Sequence, residues 1–450
     1  MDLFWQQFDK ISAFLWDPFL LLALGGAGVF CTLRFGFVQL RGFFPACRQV
    51  FHGAFSQKAS QDGMSSFSAL MTAVAAQVGT GNLAGAAAAI AVGGPGAVFW
   101  MWVSAFFGMA TAFGEAVLAQ KFRRKVDGTV TGGPVYYIKA AFPGLGGRLL
   151  AVIFAFLVVF SMGFVGAMVQ SNAIGESFQA AFGMPPLYTG IAVALLCFVS
   201  FSGGIRRLAA LTGRLVPVMA LFYMLGSAFV LFRFRENLLP ALSSIFVGAF
   251  APQALAGGIV GVTAKKVMRL GLARGLFSHE AGVGSTPHAH AVARVEHPVQ
   301  QGYVAMLGVF IDTFVILTLT ALVILVTGVL TPDASLTGAA LTQAGFSAVL
   351  GKWGGPFIAL CIFFFAFSSL LGWYFFGAAN ARYLFGKLGI APYRLGVCLC
   401  VFLGALMDVG KMWELADLCC GLMALPNLVG LIVLAPTALG ELRTKISWRF

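Results

Sequence analysis

The chain has 450 residues, of which 59% are hydrophobic and only 10% charged, with a mean hydropathy of +0.90 and a net charge of +13. Soluble domains carry about a quarter charged residues, so a water-soluble fold is excluded. The alternating ten-residue amphipathic strands of a membrane β-barrel are also missing. The basic residues fall in short connections between apolar runs rather than along one helix face, which removes nucleic acid as a partner and leaves them as topology signals.

Taken in chain order, apolar runs long enough to cross about 30 Å of hydrocarbon predict an all-α polytopic membrane protein in a lipid bilayer. The expected spans lie at roughly 17–34, 64–90, 95–121, 148–174, 186–203, 213–232, 258–291 (broken), 299–329, 354–384, 391–408 and 413–437, eleven in all. The N-terminal segment carries Asp2, Asp9 and Asp17 against Lys10, whereas the next connection carries Arg34, Arg41, Arg48 and Lys58. Basic connections stay inside, and this orientation places 20 of the 29 Lys and Arg there, with the N-terminus out and the C-terminus in. No basic n-region or cleavage site precedes the first span, which is expected to remain. Arg233, Arg235, Lys265, Lys266, Arg269 and Arg274 fall on the outer side, where an amphipathic segment at about 240–255 would accommodate them. The eight cysteines lie in or beside apolar spans or, for Cys47, in a connection, and no C-x-x-C pair occurs. They are expected to be reduced packing residues.

Two spans are interrupted. In Ala73 to Trp102 the centre is Gly79-Thr80-Gly81-Asn82, and in Ala273 to Ala291 Gly275, Gly282, Gly284 and Pro287 loosen the helix among Ser278, His279, Glu280 and Ser285. Backbone groups freed at membrane depth need a cavity or a ligand to face. A lone glycine-rich break is as readily explained by close helix packing. Two breaks in corresponding positions point instead to an inverted-repeat transporter with the binding site between them. The expected units are an extra helix and connection over 1–62, repeats over 63–235 and 236–440, and a tail over 441–450. For a ligand that carries a carboxylate, the N–H groups of Thr80, Gly81 and Asn82, at the positive end of a half-helix, are the expected donors.

The blocks VGTGNLAG, GGPGAVFWMW, GMATAFGE, TGGPVYYI, MVQSNAI, RGLFSHEAGVGSTP, LGVFIDT and FAFSSLLGWYFFG occur in this order across nearly the whole chain. Together they resemble the alanine or glycine:cation symporter family. The resemblance implies an eleven-helix, sodium-coupled importer of small neutral amino acids. It also implies a leucine-transporter-like 5+5 inverted repeat with one extra N-terminal helix, in a bacterial cytoplasmic membrane; separately, the chain is expected to be a monomer. The resemblance places the substrate ammonium near the unwound carbonyls around Phe277 and Gln170, and the side chains of Phe277 and Trp373 against the substrate, limiting its size. Sodium, the co-transported ion, wants several oxygens. Phe365, Ser368 and Ser369 at i, i+3 and i+4 present a carbonyl and two hydroxyls to one face. Likeness to the wider fold completes this sodium site with the Ala75 and Val78 carbonyls. In this chain Ser68 and His279 stand where many members have Gln and Asn, so proton coupling and a glutamine-type substrate are the alternatives. His279, beside the second break, is then expected to line the substrate cavity and to make uptake weaken with acidification.

Three charges fall within spans, where each costs at least about 2.5 kcal/mol. Glu115 is expected to form a packing or gate ion pair with Lys121 or Arg123, Glu280 to bridge the half-helices beside a basic neighbour, and Asp312 to pair with Arg274 or sense protons. His279, His288 and His290 lack the spacing and fourth ligand of a metal centre. No G-x-S-x-G, H-E-x-x-H or Walker pattern is present, which argues against an enzyme or an ATP-driven pump. Two unlike breaks in one chain also differ from the repeated filter of a channel.

Overall fold

A computed structural model describes residues 19–56, 63–251, 263–330, 336–407 and 410–447. Long helices dominate these residues. The first is α1 (Leu21–Arg34), and after a turn comes α2 (Phe43–Ser56). A bent pair follows, α3 (Ser66–Gln77) and α4 (Gly81–Gly93), inclined at 47°. Next are α5 (Ala97–Lys121), a two-stranded hairpin, α6 (Pro134–Ala141), α7 (Leu145–Phe182), α8 (Pro186–Ser202) and α9 (Gly204–Arg233). The second half holds α10 (Leu238–Phe250), α11 (Ala264–His279), α12 (Pro287–Ala291), α13 (Pro298–Thr327) and α14 (Gly338–Leu350). It closes with α15 (Gly354–Phe385), α16 (Ile390–Leu406) and α17 (Gly410–Ser447). Among the described residues, six helical runs are long and apolar enough to cross a membrane, or seven with the bent pair counted as one.

The ends of these helices follow from local chemistry. Ser65 caps α3 by accepting the Ser68 N–H at 3.0 Å, and Thr263 caps α11 through the Lys266 N–H at 3.3 Å. Pro134, Pro186, Pro287 and Pro298 occupy first turns, where a missing N–H is harmless. Helix α9 begins earlier than the expected 213 because the exposed Arg207 and Arg214 lower local hydropathy without ending the helix. Helix α10 lies where an outer amphipathic segment was expected. Among the described residues, Gly81–Gly85, Val159–Gly166 and Ile311–Leu317 widen into π-helical turns within longer helices.

The hairpin went unanticipated, although its turn is legible. Arg124–Val126 pairs antiparallel with Thr129–Thr131, and Asp127 and Gly128 both take positive φ (50° and 77°), the geometry an Asp-Gly turn favours. Asp127 accepts a hydrogen bond from Arg382 at 2.8 Å and lies 3.8 Å from Lys387. That hydrogen bond, with the two positive charges, holds its carboxyl below the usual range. The hairpin thus docks on the end of α15, at the end of the bundle that also carries the start of α3 and the exit from α12.

Candidate functional site

The first interruption spans Val78 to Thr80. The Gly79 N–H is shared between Gln77 O (3.0 Å) and Asn82 Oδ1 (3.1 Å), while the Asn82 N–H goes to Gly79 O at 3.3 Å. Asn82 Nδ2 donates in turn to Asp312 Oδ1 (2.7 Å) and Asp312 O (3.1 Å). Asn82 is therefore a staple that holds the break against α13, and its N–H is already used. The N–H groups of Thr80 and Gly81 stand at the first turn of α4, where helix donors lack partners within the helix. Thr80 Oγ1 and Gln170 Oε1 are buried without a protein partner. Gln170 lies over the break, since a Cβ on Gly79 would stand 3.4 Å from its Nε2 and 3.5 Å from its Oε1.

Beside this break the oxygens expected for sodium converge. Ser368 Oγ lies 3.3 Å from Ala75 O and 2.8 Å from Phe365 O. Ser369 Oγ lies 3.0 Å from Ala75 O and 3.1 Å from Phe365 O, with Ala76 O at 3.4 Å. All five of these residues are buried, so the face read from the i, i+3, i+4 spacing is the one α15 turns to α3. The hydroxyls can rotate their lone pairs to a cation while the carbonyls stay fixed. The Val78 carbonyl, at the break itself, is not among these contacts.

The second interruption runs from Glu280 to Thr286. Unwinding thus starts three residues beyond Phe277, which remains in the last turn of α11 rather than inside the break as expected. Its ring still faces the first break, because a Cβ on Gly81 would meet Phe277 Cδ1 at 3.8 Å and Ser278 Cα at 3.7 Å. Trp373 lies against Gly166, one turn before Gln170 on α7. Phe277 and Trp373 line one cavity with Leu24, Met162, Glu280 and Cys420.

Carboxylates fasten the second break. Glu280 takes the left-handed conformation (φ 54°), and its carboxylate accepts from Trp373 Nε1 at 2.7 Å and from the Ser285 hydroxyl. Glu115 accepts from the Gly282 N–H at 3.1 Å and from Asn427 Nδ2, which also reaches Gly282 O at 2.8 Å. The Tyr137 hydroxyl donates to Asn427 Oδ1.

Three expectations need correcting. Glu115 pairs with neither Lys121 nor Arg123, because Lys121 reaches Glu441 (2.6 Å) and Arg123 reaches Gln120 and Ala293. Arg274 lies 3.4 Å from Asp417, leaving Asp312 to neutral donors: Asn82, Ser278 Oγ (3.1 Å) and Thr313 Oγ1 (2.8 Å). Glu280 bridges across the break as expected, but among the described residues its partners are neutral.

His279 turns away from the other site residues. Its Nδ1 accepts the Ala281 N–H at 3.1 Å, its Nε2 lies 3.0 Å from Ser104 Oγ on α5, and the ring packs against Gly108. The structure thus groups Thr80, Gly81, Gln170 and Phe277 around the first break, places Trp373 against Glu280 at the start of the second, makes Asn82 structural, and leaves His279 outside. Gln77 was not anticipated. Its Nε2 donates to His279 O at 2.8 Å and ties the two interrupted helices together, and an amide one residue before an unwound segment is the signal that marked it.

Comparison with known proteins bears on this arrangement. Residues 1–445 match the sodium:alanine symporter family. The chain is 41% identical to the sodium/alanine symporter AgcS of Methanococcus maripaludis over 96% of this chain and 95% of that protein. It is 38% identical to the probable sodium/glutamine symporter GlnT of Bacillus subtilis, over 95% of this chain and 88% of that one. Its fold is similar to that of MhsT, solved in complex with L-phenylalanine, with a TM-score of 0.60 at 13% identity over 83% of this chain and 89% of that one.

Proposed function

The chain belongs to the sodium:alanine symporter family, and from that premise we propose that it couples inward sodium movement to uptake of alanine or glycine by alternating access. The coarser statement needs no proposal: it is a multi-pass membrane transporter, a cation-coupled amino acid symporter and not an enzyme. The observation that carries the finer reading is the convergence of Ala75 O, Phe365 O, Ser368 Oγ and Ser369 Oγ beside the first break. Uncharged oxygens suit an ion that must leave again.

In this reading sodium sits among those oxygens, with the Val78 carbonyl completing the set. The substrate carboxylate meets the N–H groups of Thr80 and Gly81, and Gln170 Oε1 accepts from the ammonium. Phe277 and Trp373 limit the side chain to a methyl group or less, in keeping with the apolar cavity they share. Eleven spans follow if α1, α3 with α4, α5, α7, α8, α9, α11 with α12, α13, α15, α16 and α17 each cross once. The units over 63–235 and 236–440 are then inverted repeats preceded by an extra helix, and the protein is a monomer in the cytoplasmic membrane, N-terminus out and C-terminus in, with the hairpin inside.

One observation favours a second reading. Asp312, buried, reaches the first break through Asn82 and the second through Ser278, so a proton on its carboxyl would be felt at both. Uptake of labelled alanine, glycine and glutamine into proteoliposomes, with sodium and proton gradients imposed separately, decides between these. Alanine uptake driven by sodium alone supports the first. Uptake driven by protons alone, or glutamine outcompeting alanine, replaces it.

A further inference from the structure

We propose that the hairpin end of the bundle is closed by a specific gate: a backbone bridge between Met64 and Ala293, clamped from α5 by Gln120 and Arg123. This rests on the transport reading above and assigns residues to one of its two closures.

The bridge joins the two interrupted helices. The Met64 N–H reaches Val292 O at 3.3 Å and the Arg294 N–H reaches Met64 O at 3.1 Å, so the approach to α3 pairs in parallel with the exit from α12. Both Met64 and Ala293 are buried. Gly63 allows this approach, because a Cβ there would stand 2.9 Å from Val292 O. Behind the bridge, Gln120 Nε2 donates to His290 O, to Ala291 O (3.3 Å) and to Ala293 O (2.9 Å). Arg123 Nη1 adds bonds of 2.8 Å to Ala293 O and to Gln120 Oε1. These carbonyls form the partly negative end of α12, which a guanidinium complements.

A third side closes through α13. Gln301 donates to Ser66 Oγ at 2.5 Å, and its Oε1 lies 2.8 Å from His290 Nδ1, which ties the first turn of α3 to α12. The motif TGGP supplies the fourth. A Cβ on Gly132 would stand 2.5 Å from Ala291 Cβ, and one on Gly133 2.6 Å from His288 Cδ2, so this glycine pair cradles α12.

The chemistry suits a closure that must open. Hydrogen bonds between protein groups exchange for bonds to water at small net cost, whereas interdigitated apolar side chains do not. The elements held here are those that alternating access must separate, and besides the apolar packing of Met64, Val292 and Ala293 they are held by polar bonds that water can replace.

Neighbouring paired strands lie about 4.8 Å apart, within the Cα range of a disulfide, so the gate can be locked chemically. In the double variant Met64→Cys with Ala293→Cys, oxidation should abolish alanine uptake into proteoliposomes while alanine binding in detergent stays within about twofold, and reduction should restore uptake. Uptake that persists after cross-linking verified by mass, or binding that is lost with it, overturns the gate. A second measurement uses no amino acid, so it stands even if the proposed substrate is wrong. In detergent, Ala289→Cys, fully buried in α12, should be labelled several-fold faster by a polar maleimide when Gln120→Ala is added, relative to the chain without the new cysteine. Equal labelling rates with and without Gln120→Ala overturn the clamp.

Discussion

The two interrupted helices solve one problem in different ways. The first is open for only three residues, and its exposed groups are mainly backbone: one side chain, Asn82, closes the turn internally and anchors it to Asp312. The second is open for seven residues and is held by side chains, with Glu115, Asn427 and Glu280 satisfying the Gly282 N–H, Gly282 O and the Ser285 hydroxyl. A short break leaves donors and carbonyls free for ligands. A long one needs its own carboxylates to survive at membrane depth, where unpaired backbone groups are costly. The first break is therefore read as the binding element and the second as its braced counterpart.

Substitutions can break this contrast, and the largest effect is expected at Gly79. A methyl there would lie 2.5 Å from Ser369 Oγ. Displacing one oxygen that serves a charge should weaken sodium activation about 10- to 100-fold, from about 1.5–3 kcal/mol for such a bond. The sodium dependence of uptake measures it, and an unshifted curve removes Ser369 from the ion site.

Next comes the brace. Glu115→Ala orphans the Gly282 N–H and removes one acceptor of Asn427 Nδ2, and is expected to lower stability by about 1–3 kcal/mol, seen as a lower Tm in detergent, with little change in sodium affinity. A variant as stable as wild type but defective in sodium activation would reverse the roles of the two breaks.

Gly81→Ala sharpens the contrast from the other side. Its methyl meets nothing of the protein closer than 3.7 Å, so the fold should be kept, yet it intrudes beside Phe277 where the carboxylate is proposed to lie. Calorimetry should show alanine affinity down by about tenfold, or 1.4 kcal/mol. Wild-type affinity would mean that the break does not face the substrate.

The smallest effect belongs to His279→Asn. Since both ring nitrogens are occupied by Ser104 and Ala281, away from Gly81 and Phe277, the pH profiles of uptake for variant and wild type should superimpose. A flattened profile in the variant would return His279 to the site.

How much of this was legible depends on the range of the interaction. The Gly-Thr-Gly-Asn break and the serine face of α15 are local patterns, and both stand where the sequence placed them. The direction of His279 was also available: two residues beyond Phe277 is about 200° around a helix, so both side chains could not face one cavity while α11 stayed helical. What was out of reach is pairing between distant residues. Asn82 meets Asp312 across 230 positions and Glu115 meets Asn427 across 312, and charge alone suggested nearer basic partners such as Lys121 and Arg274. Those bases are held instead by Glu441 and Asp417. The hairpin was missed because short exposed strands leave no mark on hydropathy, although Asp127-Gly128 was there to be read.

The widened turns also decide how the site residues are aimed. A π turn closes on i→i+5 rather than i→i+4 hydrogen bonds and so holds one residue more than an α turn. Here such turns fall at Gly81–Gly85, Val159–Gly166 and Ile311–Leu317, and so take in Gly81 and Asn82, Gly166 against Trp373, and Asp312. With one residue more per turn, side chains inside a widened segment depart from the 100° spacing of an α-helix. The bearings of these side chains are thus set by the local width of the helix as much as by residue type. Removing a single residue from 311–317 would heal that helix and, with every remaining amino acid unchanged, point Asp312 away from Asn82.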